Sequence, residues 1–234
     1  MPAASAVSKD EALRAISIDE IAQRLGGRWV LRGLSLRVDP GECVAVVGHN
    51  GSGKTTLLRV LSTVLRPTRG TGSIFGHDLV QDADGVRAEC AMLNHGGGLY
   101  GDLTATENLE FAQRMMGERA DMQAIRHALD RVGIGAFANT RVRTFSSGMQ
   151  RRTAVARLYL RDARLLLLDE PYNSLDGDGV TLVDELLASV RSKGGAAVVV
   201  LHDLERTNTE FDRVIELAQG RIVAGASRST IHAA

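Results

Sequence analysis

Cysteine is scarce in this sequence, with two residues, Cys43 and Cys90, among 234. They are too few and too isolated for a disulfide framework or a zinc site. Buried or incidental thiols in a reducing compartment are the simpler interpretation. The scarcity therefore excludes the class of small secreted domains held together by disulfides.

An excess of positive charge is missing as well. Lysine plus arginine and aspartate plus glutamate both total 28, so the net charge is zero. A nucleic-acid-binding surface would need a basic excess or stripe, and we expect no nucleic-acid partner. Hydrophobic residues make up 44% and charged residues 24%, which are ordinary globular values. The length suits one domain, or one domain with an inserted lobe.

Long apolar runs are also absent. The longest, residues 165–168 and 196–201, are far shorter than the roughly 20 residues of a membrane-spanning helix. The N-terminus lacks the apolar region of a signal peptide. We expect a soluble chain that reaches a membrane only by docking. Residues 1–15, rich in Ala and Ser, are predicted to be a flexible leader before a single domain at 16–234.

The hydrophobic pattern predicts an α/β fold. Period-two alternation and short apolar runs predict strands beginning at Ile16 and near 34–38, 42–47, 70–76, 165–168, 197–201, 213–217 and 221–223. Helical spacing predicts helices over 54–65, 108–116, 122–132, 147–160 and 180–191. The order indicates a core from 16–86 and 161–225, with a helical subdomain inserted at about 87–160.

A phosphate-binding motif follows the strand predicted at 42–47. Glycines let successive backbone N–H groups turn toward phosphates, and the helix N-terminus adds partial positive charge. Lys54 would reach the β- and γ-phosphates, and the Thr55 hydroxyl would bind Mg²⁺. A glycine-rich turn ending by chance in Lys-Thr is disfavoured by the flanking strand and helix. The candidate ATP ligands are Gly48, His49, Asn50, Gly51, Ser52, Gly53, Lys54, Thr55 and Thr56.

Two carboxylates, Asp169 and Glu170, end the apolar run at 165–168. Ligands lie at the carboxyl ends of strands in a parallel sheet, so Asp169 is expected beside the phosphate loop, where it would bind Mg²⁺. Glu170 would activate the attacking water as general base. Two acids at a strand end are often merely solvated, but the phosphate loop upstream favours the catalytic interpretation.

Residues 145–150, FSSGMQ, occupy the place of an LSGGQ signature. Together with the phosphate loop, residues 165–170, residues 174–176 and His202 in the same order, they make the chain resemble nucleotide-binding domains of ABC transporters from about 16 to 223. The resemblance implies a P-loop NTPase core of ABC-ATPase type, with an antiparallel β subdomain and an inserted helical subdomain. It also implies hydrolysis of ATP to ADP and phosphate, coupled to transmembrane transport.

The resemblance implies that each ATP site is shared between two chains. Ser146, Ser147 and Gly148 would face the γ-phosphate held by the other protomer, although without that role they are the N-cap of the following helix. His202 would contact the γ-phosphate, beside the catalytic Lys54 and Glu170. ATP would join a homodimer, or a heterodimer with a similar cassette, and hydrolysis would release it. An integral membrane permease would bind the pair at the cytoplasmic face of the cell membrane.

The sequence departs from the family in two places. The usual glutamine between core and helical lobe would fall at His95 or Gly96, and Asn94 and His95 are the candidates to replace it. The usual aromatic residue that stacks on adenine would fall at Leu25. Trp29 could replace it, or could be a half-buried strand tryptophan.

The kind of transporter is indicated less directly. Residues 103–109, His95, residues 150–152 and residues 175–179 resemble the haem-exporter ATPases of cytochrome c maturation. Multidrug and polysaccharide exporter ATPases share part of this pattern and remain alternatives. Soluble ABC ATPases of translation or DNA repair usually carry two cassettes, long insertions or a basic surface, which this sequence lacks. A small-molecule kinase would not explain the signature and His202.

Overall fold

The fold is built on two β-sheets and six α-helices, seen in a computed structural model that describes residues 14–202 and 211–227. The strands are β1 Ile16–Leu25, β2 Arg28–Val38, β3 Cys43–Val47, β4 Arg69–Ile74, β5 His77–Asp78, β6 Cys90–Leu93, β7 Leu165–Asp169, β8 Ala196–Val200, β9 Arg213–Ala218 and β10 Arg221–Ser227. The helices are α1 Lys54–Leu61, α2 Ala83–Glu89, α3 Ala105–Met115, α4 Met122–Arg131, α5 Ser147–Tyr159 and α6 Gly177–Ser192.

The larger sheet has six strands in the order β10-β9-β3-β8-β7-β6, parallel except for the β9–β10 hairpin. Strands β7 and β8 are buried throughout, as expected for apolar runs covered on both faces. The carboxyl ends of β3, β7 and β8 meet at one edge of this sheet. The phosphate loop follows β3 at that edge, Asp169 is the last residue of β7, and His202 comes shortly after β8.

The smaller sheet is antiparallel, with the order β2-β1-β4-β5. Its inward side chains, among them Ile16, Ile21 and Leu34, share one buried cluster with the α1 residues Leu57 and Leu58. Strand β2 alternates buried and exposed residues over Leu34–Val38, as expected for a sheet with one face on the core, whereas β1 also buries Ser17 and Gln23. The predicted antiparallel β subdomain is confirmed.

Helices α3, α4 and α5 pack on a second cluster that includes Leu109, Ile125 and Leu129. They lie in the range predicted for the helical subdomain. Strand β6 lies in that range too, but it pairs with β7 as the edge strand of the six-stranded sheet. The sequence predicted no strand there, since CAML is too short and mixed a run to stand out.

Local backbone geometry and capping account for two helix boundaries that differ from the predictions. Helix α1 ends at Leu61 rather than at 65, and Thr63 takes a left-handed φ of 58° two residues later. Helix α6 begins at Gly177 rather than at 180, because the Asp176 carboxylate caps it by accepting the Gly179 N–H.

The predicted leader lies mostly outside the described residues. Residues 1–13 are not described, and neither are residues 228–234 at the other end of the predicted domain. Ala15, included in the leader, is fully buried, and its carbonyl accepts the Phe75 N–H. Within the described ranges no helix is long and apolar enough to cross a membrane.

Candidate active site

The phosphate loop connects β3 to α1 through backbone conformations that favour glycine. Gly48, Gly51 and Gly53 have φ values of 147°, 79° and 111°. A methyl group on Gly48 would come within 2.1 Å of the Leu217 carbonyl oxygen, and one on Gly53 within 2.9 Å of Leu31 Cδ2. The loop therefore needs glycine both for its conformation and for its close packing on β2 and β9.

Two polar side chains are buried inside this loop. Lys54 is 6% exposed, and its ammonium donates to the carbonyls of Gly48 and His49, the second at 3.2 Å. The Ser52 hydroxyl is buried without a hydrogen-bond partner among the described residues. A buried hydroxyl without a partner is costly, and in the same loop as the Lys54 ammonium it suits an anionic ligand such as a phosphate.

Thr55 and Asp169 meet across the sheet edge, as the sequence predicted. The Thr55 hydroxyl donates to Asp169 Oδ2 at 2.8 Å, and Asp169 is 2% exposed. A hydroxyl and a carboxylate at this distance present the hard oxygen ligands that Mg²⁺ prefers. The residues present therefore fit a Mg²⁺ ion bound together with a nucleotide.

Glu170 stands at the centre of a polar cluster. Its Oε2 accepts from the Asn173 amide at 2.6 Å and lies 3.1 Å from His95 Nδ1, while Oε1 lies 3.4 Å from His202 Nε2. The carboxylate side chain is 14% exposed, whereas both histidines are largely exposed. Two of the predicted catalytic residues, Glu170 and His202, are therefore brought together, and His95 joins them.

The signature residues begin α5. The Ser146 hydroxyl caps the helix by accepting the Met149 N–H at 3.2 Å, and Ser147 is exposed in the first turn. A methyl group on Gly148 would come 3.0 Å from the Ser174 carbonyl oxygen, so the signature lies against residues 174–176. In the described part of the chain, no hydrogen bond or ion pair joins residues 146–148 to the phosphate loop.

Sequence reasoning missed two contacts of this site. His95 was considered as a substitute for the family's glutamine, but its approach to Glu170 was not foreseen. Arg151 belongs to the residues 150–152 that resemble the haem-exporter ATPases, but the sequence assigns it no role. Its buried guanidinium donates to backbone carbonyls at residues 94–95 and 169–171. The only available signal was the first of two arginines after the signature, in Gln150-Arg151-Arg152.

The place for the adenine ring stays a prediction. Trp29 lies on β2, half-exposed, with the Arg69 guanidinium carbon 5.4 Å from its ring centroid. Leu25, at the family's aromatic position, is exposed to a similar degree. This environment matches a half-buried strand tryptophan that makes a cation–π contact.

A glycine-rich phosphate loop, an Asp-Glu pair and a histidine, all at one edge of a parallel sheet, define a P-loop nucleotide hydrolase. Two further features narrow this class to the ATP-binding cassettes. They are the antiparallel sheet and the helical lobe, in which α5 begins within the signature sequence.

Comparisons with known proteins give the family. The family model described as ABC transporter matches residues 31–173. Cytochrome c biogenesis ATP-binding export protein CcmA 2 of Cupriavidus metallidurans is 42% identical over 183 residues, covering 78% of this chain and 87% of that protein. Daunorubicin resistance ATP-binding protein DrrA3 of Streptomyces coeruleorubidus is 34% identical, covering 94% of this chain and 70% of that protein.

Solved structures agree on the fold. A structure of an ATP-binding subunit of an ABC transporter superposes with a TM-score of 0.83 at 25% identity, covering 94% of this chain and 92% of that one. The post-hydrolysis dimer of the ATP-binding cassette MJ0796, bound to ADP and Pi, gives 0.82 at 24% identity, covering 91% and 98%. The chain belongs to the ABC transporter family, and it is an ATP-binding, ATP-hydrolysing subunit of such a transporter.

Proposed function

We propose that this chain powers an export step of cytochrome c biogenesis, as the ATPase that drives a separate membrane permease. The observation that carries the proposal is the 42% identity to CcmA 2 over 87% of that protein's length. Further CcmA proteins, from Cupriavidus pinatubonensis and Methylococcus capsulatus, are 40% and 38% identical. The match to DrrA3 over 94% of this chain supports drug export as the second candidate.

The site residues have distinct roles in the proposed reaction. The phosphate-loop N–H groups and Lys54 bind the β- and γ-phosphates, with Ser52 offering its unpartnered hydroxyl. Thr55 and Asp169 would hold Mg²⁺, which neutralises phosphate charge when bound. Glu170 accepts a proton from the attacking water, and Asn173 holds its carboxylate in place. His202, whose Nε2 lies 3.4 Å from Glu170 Oε1, would donate to the γ-phosphate.

The second half of each site comes from another copy. Ser147 is exposed at the start of α5, where the helix N-terminus favours an anion. Residues 146–148 make no described contact with the phosphate loop of their own chain, so they are available to a partner's ATP. We infer that ATP joins two chains head to tail around a pair of shared sites, and that hydrolysis separates them.

The permease binds on the helical side of the domain. Exposed apolar side chains lie on α3 and on either side of it, at Tyr100, Phe111, Met115 and Met116. One of them, Met116, also lines a groove of about 230 Å³ together with Met92. Clustered apolar exposure of this kind marks a protein contact, and the proposed occupant is a cytoplasmic segment of the permease. This contact would hold the chain at the cytoplasmic face of the membrane.

The test is to isolate the tagged chain from detergent-solubilised membranes of its source and to identify co-purifying proteins by mass spectrometry. A multi-span partner in a complex that carries haem or cytochrome-maturation proteins is the expected result. A drug-export permease would instead favour the second candidate. Recovery only with ribosomes or DNA-repair proteins would refute both.

A further inference from the structure

Arg151 connects two segments of the active site through their backbone carbonyls. It lies in the second turn of α5 and is 6% exposed. Its guanidinium donates to the carbonyls of Asn94 at 3.0 Å and His95 at 3.4 Å on one side. On the other side it donates to the carbonyls of Asp169 at 3.0 Å, Pro171 at 3.2 Å, and Glu170.

These contacts require arginine in particular. A buried cation is costly unless its donors are satisfied, and all the described acceptors here are neutral carbonyls. Burial lowers the pKa of Arg151, while the nearby charges of Asp169 and Glu170 oppose that shift. The planar fork of five donors lets one side chain serve two loops at once, which a lysine ammonium cannot do.

The backbone at Glu170 needs external support. Its φ of 51° is left-handed, a conformation that non-glycine residues adopt at a cost. Such strain persists at functional sites only when the surroundings impose it. The Arg151 guanidinium donates to the carbonyl of Glu170 and to those of both its neighbours, so it holds the strained turn from the side of α5.

We propose that Arg151 is a positioning residue that holds the Glu170 carboxylate in its reactive orientation and joins it to the loop at 94–98. Because α5 begins with the signature, a shift of this helix would be carried to both segments together. The loop at 94–98 lies where the family has its glutamine. In this chain, hydrogen bonds from Arg151 to backbone carbonyls connect that loop to Glu170. The inference rests on the proposed role of Glu170 as general base.

Arg157 provides a matched comparison on the same helix. Its guanidinium donates to the carbonyls of Gly98 at 2.8 Å and Gly97 at 3.0 Å, but it makes no described contact with residues 169–171. It therefore holds the loop without holding the Glu170 turn. Removing each arginine separately distinguishes positioning of Glu170 from general loosening of the loop.

The test compares R151M, R151K and R157M in the full chain, by steady-state ATPase kinetics and by hydrogen exchange. For R151M we expect kcat to fall by about 10²-fold, the loss that a catalytic group displaced by about 1 Å produces, with KM for ATP nearly unchanged. Exchange should rise in peptides covering both 94–98 and 169–175. R151K should recover part of kcat, and R157M should raise exchange at 94–98 alone.

Two results would overturn the proposal. One is wild-type kcat in R151M, or in R151K if R151M does not fold. The other is hydrogen exchange at 169–175 that R151M does not raise, or that R157M raises as much as R151M does. The exchange result does not depend on whether Glu170 is the general base. If Glu170 is not the base, the activity of E170Q will show it, while the exchange in R151M will be unaffected.

Discussion

Replacing the carboxylate of Glu170 by an amide removes the base and little else. In E170Q the side chain keeps its length and shape, and its amide oxygen can still accept from the Asn173 amide, which lies 2.6 Å from Oε2 in the native chain. The phosphate loop, Lys54 and Asp169 are untouched. The variant should therefore bind ATP like the native chain but fail to activate water.

The expected loss follows from what a positioned base supplies. General base catalysis contributes about 10²- to 10⁴-fold, which corresponds to about 3–5 kcal/mol in the activation barrier. We expect kcat to fall within or beyond this range, while the Kd for ATP changes by less than about threefold. Since hydrolysis ends the ATP-bound state, E170Q with ATP and Mg²⁺ should also sediment as a stable dimer.

The assay measures phosphate release for kcat, calorimetry for Kd and sedimentation velocity for association. E89Q is the control, because Glu89 is also a largely buried carboxylate but pairs with Arg164 outside the site. Full turnover by E170Q would refute the role of Glu170 as base. A monomer at saturating ATP would refute the idea that ATP holds two chains together.

Three further predictions concern the phosphate loop and the buried thiols. K54A should weaken ATP binding by roughly 30-fold or more, the cost of removing a buried charged partner; an unchanged Kd in calorimetry would contradict this. G48A should lower the free energy of unfolding by about 1–3 kcal/mol in urea titrations, because of its φ of 147° and the lack of space, whereas G177A should not. Burial raises the pKa of Cys43 to about 11 and of Cys90 to about 12. Folded protein should thus resist alkylation at pH 8 until denatured. Since the unfolded thiols lose their protons first, stability should fall as pH rises above about 9 toward these values; rapid labelling of the native chain would contradict the burial.

The elements of the fold that carry a local hydrophobic pattern could be predicted from the sequence. The apolar runs of β3, β7 and β8, and the amphipathic spacing of α4, are visible without knowing any partner. Strand β6 was missed because its four residues gain their stability from pairing with β7 at the sheet edge. Tertiary pairing of that kind leaves little trace in a short run.

The same contrast holds in the site. The phosphate loop and Asp169 could be predicted, because phosphate and Mg²⁺ chemistry restrict the residues at fixed spacings. His95 beside Glu170 could not, since the contact depends on how a glycine-rich loop folds over α5. Arg151 could not either, because its acceptors are backbone carbonyls, which no side-chain pattern in the sequence reveals.

The central claim is that each ATP site combines the phosphate loop and Glu170 of one chain with residues 146–148 of another. It can be tested by mixing two inactive variants, E170Q and S147R, each first shown to be folded. A mixed dimer would contain one intact site, built from Glu170 of the S147R chain and Ser147 of the E170Q chain. If the two variants are mixed before ATP is added, each hybrid dimer has one of its two sites intact, and ATPase activity should exceed that of either variant alone. Activity no higher than that of the separate variants would contradict a shared site.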